Sequence, residues 1–133
     1  MARRRPRLPG AGLEYEVLAA LWDAIEASAR ELHERTGMPA GLRYTTTAKV
    51  LDRLHEKGLV SRRRVGRAFR YRPAVPRQSV ERARTRESLG RLFGGEPVPA
   101  IARLVEAVED LDPELLDELA RAVNARRRSR RGS

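Results

Sequence analysis

The chain has no cysteine, so no disulfide framework braces it and no thiolate binds a metal. It has two histidines. His33 and His55 each stand alone beside a glutamate on a helical pattern, and both are expected at the surface rather than as ligands. No apolar run approaches the roughly 20 residues of a membrane helix. The opening "MARRRPRLPG" is basic but lacks the hydrophobic stretch of a secretory signal, so a cytoplasmic protein without membrane insertion is expected. Lysine is scarce: of the 28 basic residues, only Lys49 and Lys57 are not arginine. Codon bias in a GC-rich genome produces such a skew, so the preference for arginine carries little meaning. Its clustering carries more.

Acid is missing from both ends. Residues 1–12 hold four arginines and residues 125–133 hold five, with no carboxylate side chain in either segment. Both are expected to be disordered basic tails. Between them the charge is blocked by sign. Residues 43–77 hold eleven basic residues against Asp52 and Glu56, and residues 96–118 hold eight acids against Arg103. A basic block inside the folded part is an electrostatic footprint for a polyanion. The plainer alternative is a solvated, arginine-rich face.

The 133 residues suffice for one domain, or a small domain with an appendage. In "GLEYEVLAALWDA" the apolar positions Leu13, Val17, Leu18, Leu21, Trp22 and Ile25 trace one helical face, which predicts a helix over 13–24. Glu14 and Glu16 suit its positive end, and Trp22 is expected to pack in the core. Ser28 with Glu31 three residues on is a capping-box pattern opening a short second helix, which Gly37 closes. Thr45 is a candidate cap for a third helix, with Thr47, Val50, Leu51 and Leu54 as its buried stripe and Gly58 at its end. "LVSRRR" and "AFRYRP" then flank "VG" as a predicted hairpin. Phe69 and Tyr71 alternate with Arg70 and Arg72, which suggests one apolar and one cationic face. Helical patterns follow over 77–93 and 98–108. A last helix has Asp112 as N-cap and Pro113 at its first position.

Three helices followed by a two-stranded hairpin make a winged helix-turn-helix, whose third helix enters the major groove while the hairpin lies along the backbone. The expected fold is therefore mostly α with a small β-hairpin: a DNA-binding domain over 13–76, then a helical region over 77–124. The third helix, about 44–57, must keep one face in the core and offer the other to base edges. Threonine and lysine supply hydrogen bonds, and threonine a methyl group, for that purpose. The expected DNA contacts are Arg43, Tyr44, Thr45, Thr46, Lys49 and Arg53 on this helix. On the wing, about 59–72, they are Arg62, Arg63, Arg64, Arg67 and Arg70, with the reach to hold phosphates. At Gly66 the tight turn carries no side chain where the backbone approaches DNA.

"GLEYEVLAALWD", "SARELHERTG" and "YTTTAKVLDRLHEKGLVSRRRVGRAFRYRP" resemble the penicillinase-repressor family of bacterial winged-helix regulators, which includes the methicillin-resistance and copper-responsive repressors. The resemblance covers 13–73 and continues through "ESLGRLFGG". It implies a transcriptional repressor that binds a palindromic operator as a homodimer, with the C-terminal helices as the dimerisation part. It also implies, for some members, a membrane sensor peptidase as partner, which cuts an Asn-Phe bond. The matching place here, by distance from "FGG", is Arg103-Leu104, so that bond is not matched. The cysteine pair of the copper-responsive members is absent as well, which excludes copper sensing through thiolates.

The residues themselves point the same way on assembly. The helices after residue 77 carry apolar stripes that one short bundle can hardly bury. Leu89, Leu92, Ile101, Leu104, Leu115, Leu116 and Leu119 are the expected dimer contacts. The alternative is that these helices fold back on the first helix in a monomer. A competing functional reading is a basic module that binds RNA, or DNA without operator specificity. The acidic helices could also dock a partner, alongside either reading. The acids at 109–112 and 114–118 have no accompanying histidine or nucleophile. No catalytic set, metal site or cofactor site is expected.

Overall fold

A computed structural model describes residues 6–10 and 12–132. The chain divides into two compact units, Met1–Arg86 and Glu87–Ser133.

In the first unit, α1 (Leu13–Ala24) buries Val17, Leu18 and Leu21, as their spacing predicts. Ile25 is not part of that face. It adopts a left-handed φ of 72° just beyond the helix and is 70% exposed. The chain is thereby turned into β1 (Ala27–Ser28), a strand of two residues that no periodicity could announce. Ser28 both ends β1 and caps α2 (Ala29–Leu32), its hydroxyl accepting from the Glu31 amide at 3.1 Å. The reciprocal half of the capping box is not made, because the Glu31 carboxylate instead accepts from Arg70 at 3.2 Å. The expected single second helix continues as a π-helical turn, His33–Gly37.

The third helix, α3 (Tyr44–Glu56), buries Thr47, Val50, Leu51 and Leu54. It is followed by β2 (Val60–Val65) and β3 (Ala68–Pro73), joined as an antiparallel hairpin with Val65 opposite Ala68. The two turn residues are therefore Gly66 and Arg67, not the expected Val65 and Gly66. Gly66 is the turn residue with positive φ, at 64°, and glycine in the first central position suits a hairpin turn whose twist matches its strands. β1 pairs with the outer side of β3, giving a three-stranded sheet in the order β1-β3-β2.

One core joins these elements. Val17, Leu18 and Leu21 meet Leu32, Leu51, Leu54, Leu59, Val60, Tyr71 and Val80. Each leucine taken fully out of water contributes roughly 1.5–3 kcal/mol before entropy is counted. Trp22 lies at the edge of this core and donates its indole N–H to the Val75 carbonyl at 3.0 Å.

The first unit extends beyond the expected boundary at 76 because the start of α4 (Arg77–Leu92) packs on α1. Val80 enters the core, Tyr15 donates to Glu81, and the Arg84 guanidinium lies 3.8 Å from the Tyr15 ring centroid. Part of the expected N-terminal tail is also docked. Leu8 packs against the core, Pro9 is buried, and the Arg7 amide donates to the Lys57 carbonyl at 2.9 Å. Residues 1–5 and 11 of that tail lie outside the described residues.

In the second unit, α5 (Pro97–Leu111) and α6 (Pro113–Arg131) form a helical hairpin. Asp112 caps α6, accepting from the Glu114 amide at 2.9 Å, with Pro113 at its first position. The expected C-terminal disorder from 125 gives way to helix as far as Arg131. Arginine is a good helix former, no proline or glycine intervenes before Gly132, and positive charge suits the helix's negative end. No helix among the described residues is long and apolar enough to cross a membrane.

Candidate nucleic-acid interface

The first helical residue of α3 is Tyr44. Arg43 is its N-cap, extended at φ −78° and ψ 152°, and makes no side-chain cap hydrogen bond. This corrects the expectation that Thr45 caps the helix. The Arg43 carbonyl accepts from the Thr46 amide at 3.0 Å, so Thr45 is already one residue inside. With Thr47, Val50, Leu51 and Leu54 turned inward, the helical period sends Thr45, Thr46, Lys49 and Arg53 to the outside, and all four are exposed. Tyr44 sits on the flank of the helix, edge-on to the His33 ring at 5.7 Å. His33 is itself buried, contrary to expectation, and hydrogen-bonds with the Thr47 hydroxyl at 2.7 Å. His55 is exposed.

The wing carries cations on both faces. Side chains of directly paired residues share a face. Arg62 lies opposite Tyr71, and Arg64 opposite Phe69, on the side that continues the core. There the Arg62 and Arg64 guanidinium groups lie 4.4 and 5.4 Å from the Phe69 ring centroid. Arg62 also donates to Asp52 of α3 at 2.9 Å, which ties the wing to the helix. Burial pushes the Tyr71 hydroxyl above its ordinary range, against the opposing hydrogen bond and charge of Arg62.

The other face carries Arg63, Arg70 and Arg72. All three converge on Glu26, at 2.9, 3.6 and 3.9 Å. Desolvation raises the Glu26 carboxyl's pKa, but the hydrogen bond from Arg63 and the charges of Arg63, Arg72 and Arg70 prevail and hold it below the ordinary glutamate range. The expected division into one apolar and one cationic face thus holds for β3 alone, because β2 places arginines on both sides.

A groove of about 560 Å³ runs between the wing and the flank of α3, lined by Tyr44, Ala48 and Asp52 on one side and Arg67, Phe69 and Tyr71 on the other. The expected contacts all fall within the first unit, but Arg63 and Arg70 lie on the opposite face of the wing from Arg62 and Arg64, and the contacts differ in electrostatic state. Arg43, Lys49, Arg53, Arg64 and Arg67 make no ion pair among the described residues, whereas Arg62, Arg63 and Arg70 are each paired with a carboxylate.

Two residues escaped the sequence reading. Asp52 enters the sequence reading only as an acid against the basic block, although its place about one helical turn from Lys49 and about two from Tyr44 marks the same outward region. Glu26 lies 37 residues from Arg63 in sequence, and no local pattern announces that pairing.

The family profile described as Penicillinase repressor matches residues 11–125. Transcriptional regulator BlaI of Mycobacterium tuberculosis is 33% identical over 112 residues, which cover 84% of this chain and 80% of that protein. Methicillin resistance regulatory protein MecI of Staphylococcus aureus is 24% identical over 111 residues, covering 84% and 89%. Among solved structures, HlyU from Vibrio cholerae is 26% identical with a TM-score of 0.43, covering 64% of this chain and 84% of that one. Since the profile takes in α1, the α2–α3 pair, the wing and the helices through residue 125, the chain belongs to the penicillinase repressor family.

Proposed function

We infer that the protein is a transcriptional repressor that binds a two-fold-related duplex site as a homodimer. The observation that supports this most is the outward face of α3. Thr45, Thr46, Lys49 and Arg53 are exposed there, with no ion pair among the described residues to occupy the two cations. Short polar side chains and a single lysine on a helix suit major-groove edges. The wing arginines beside them suit phosphates, which fix register without reading sequence. Relatives of this chain carry the names of regulators, and no catalytic role is assigned to it.

The homodimer rests on the second unit. Among its described residues Ala100 is the single buried apolar one, while Val98, Ile101, Leu111 and Leu115 are exposed. Leu104, Leu116 and Leu119 are half-buried. A helical hairpin that leaves such stripes open gains by pairing with a second copy. Two copies related by a two-fold axis would match half-sites about one DNA turn, ~34 Å, apart. The five expected contacts from α5 and α6, Ile101, Leu104, Leu115, Leu116 and Leu119, with Leu89 and Leu92 of α4, belong to this reading. Peptidase release is not proposed for this chain, because the bond at the matched place is Arg103-Leu104, inside α5.

The experiment is fluorescence anisotropy with the full chain on duplex DNA and on RNA of equal length at fixed salt. A clear preference for duplex DNA, with further preference for one sequence, is the expected result. Equal affinity for both polymers would replace this reading with that of a basic module without operator specificity.

A further inference from the structure

Among the described residues, Glu26 is the one carboxylate that meets three wing arginines. Its placement follows from the turn before it. Ile25, at φ 72°, takes the chain out of α1, and Ala27 then pairs with Tyr71 in β1 with its side chain in the core. Strand alternation sends Glu26 and Ser28 to the opposite face. That is the face on which β2 and β3 present Arg63, Arg70 and Arg72. The Glu26 side chain is only 21% exposed under them, with Arg63 donating through both Nε and Nη2 to one oxygen, at 3.1 and 2.9 Å. Arg70 is further held by Glu31 at 3.2 Å.

A guanidinium paired to a carboxylate has part of its charge already compensated. It releases fewer counterions when it meets a phosphate, because it must first leave its partner. We propose that Glu26 acts as an internal stand-in for a DNA phosphate, which withholds Arg63, Arg70 and Arg72 from sequence-independent binding and so sets how selective the wing is. This rests on the repressor reading above and names a positioning residue within it. Glu26 cancels one unit charge among the three arginines, beside the share of Arg70 that Glu31 already takes.

The test uses the full chain and two duplexes, the preferred site and a scrambled sequence, titrated over a range of salt. Glu26→Gln keeps the shape and removes the charge. It is expected to tighten binding to the scrambled duplex about tenfold and to steepen the slope of log K against log salt by about 0.9, the value for one additional phosphate neutralised. The preferred-to-scrambled ratio should fall correspondingly. Ser61→Glu runs the experiment the other way. Ser61 is exposed and lies opposite Arg72 on the same face, so an added carboxylate there should weaken scrambled-duplex binding and flatten the slope. The double variant Glu26→Gln/Arg72→Gln restores the wild-type net charge, and its slope should return to the wild-type value. A mere loss of structure would not be reversed in that way. An unchanged or shallower slope in Glu26→Gln, with a wild-type thermal melt, overturns the proposal. Should Glu26→Gln fail to fold, an unchanged slope in Ser61→Glu overturns it. A wild-type chain that shows no preference between the duplexes overturns the repressor reading instead.

Discussion

The Thr47 hydroxyl of α3 and the His33 ring of the π-helical turn hydrogen-bond at 2.7 Å in the interior. This polar contact joins the two helices of the helix-turn-helix across a gap otherwise closed by leucines. It also explains Gly37. A Cβ built there would overlap both His33 Nδ1 and Thr47 Oγ1, so the pair closes over a position that only hydrogen can occupy.

Gly37→Ala is therefore expected to force His33 and Thr47 apart. Overpacking of this kind costs about 1–3 kcal/mol, and a buried donor or acceptor left without its partner adds to that. Urea unfolding of the wild type and the variant checks it. A change under about 0.5 kcal/mol, the usual range for surface substitutions, would mean that the turn relaxes freely.

Glu14 gives a pH-dependent term. Burial raises its pKa, but the hydrogen bond from Lys57 Nζ at 2.6 Å, the one from the Gly10 amide, and the charges of Lys57 and Arg53 outweigh this and lower it. A carboxyl with a depressed folded pKa stabilises above its unfolded value, about 4.3. That contribution is lost as the pH falls through the lower, folded value. Glu14→Gln should thus cost about 1 kcal/mol at neutral pH. The difference from wild type should close on acidification below the ordinary glutamate range. Thermal melts at pH 7 and at pH 3 compare the two, and a difference of equal size at both would contradict this assignment.

Lys49→Ala and Thr46→Ala should lower affinity for the preferred duplex more than for random duplex. A lost base-edge contact costs roughly 1–3 kcal/mol of discrimination, while a lost phosphate contact weakens all sequences alike. Parallel titrations on both duplexes separate the two cases. Equal losses would reassign these side chains to the backbone.

Leu116→Asp or Leu119→Asp should convert a dimer into a monomer that keeps the first unit folded, because no residue beyond Val80 belongs to that core among the described residues. Sedimentation at micromolar concentration reports the mass, and circular dichroism reports the fold. Wild-type protein that sediments at the 15.0 kDa of one chain would remove the dimer from the account.

Much of the first unit was legible because its signals are local. The 3.6-residue spacing of Val17, Leu18 and Leu21, and again of Thr47, Val50, Leu51 and Leu54, names buried faces without any tertiary information. Ser28, Asp112 and Pro113 announce helix starts for the same reason. What stayed hidden depends on distant partners. His33 looks like any polar helix residue until Thr47, 14 positions on, comes to lie beside it. β1 is too short to have a period and exists only because β3 offers it an edge. The arginines at 126–131 suggest disorder by charge, yet helix propensity continues through them. In the candidate site, the outward residues of α3 follow from the inward ones. The division of the wing arginines between Asp52 and Glu26 follows only from the register of β2 with β3.

Selection from a pool of randomised duplexes by the full-length protein tests the central claim most directly. The account predicts that one sequence family emerges, with two half-sites related by a two-fold axis and centred about one turn apart, ~10 base pairs. It further predicts that the Lys49→Ala protein selects half-sites relaxed at one position. Recovery of no enriched sequence, or of the same half-sites from both proteins, would contradict the assignment of α3 as the reading helix.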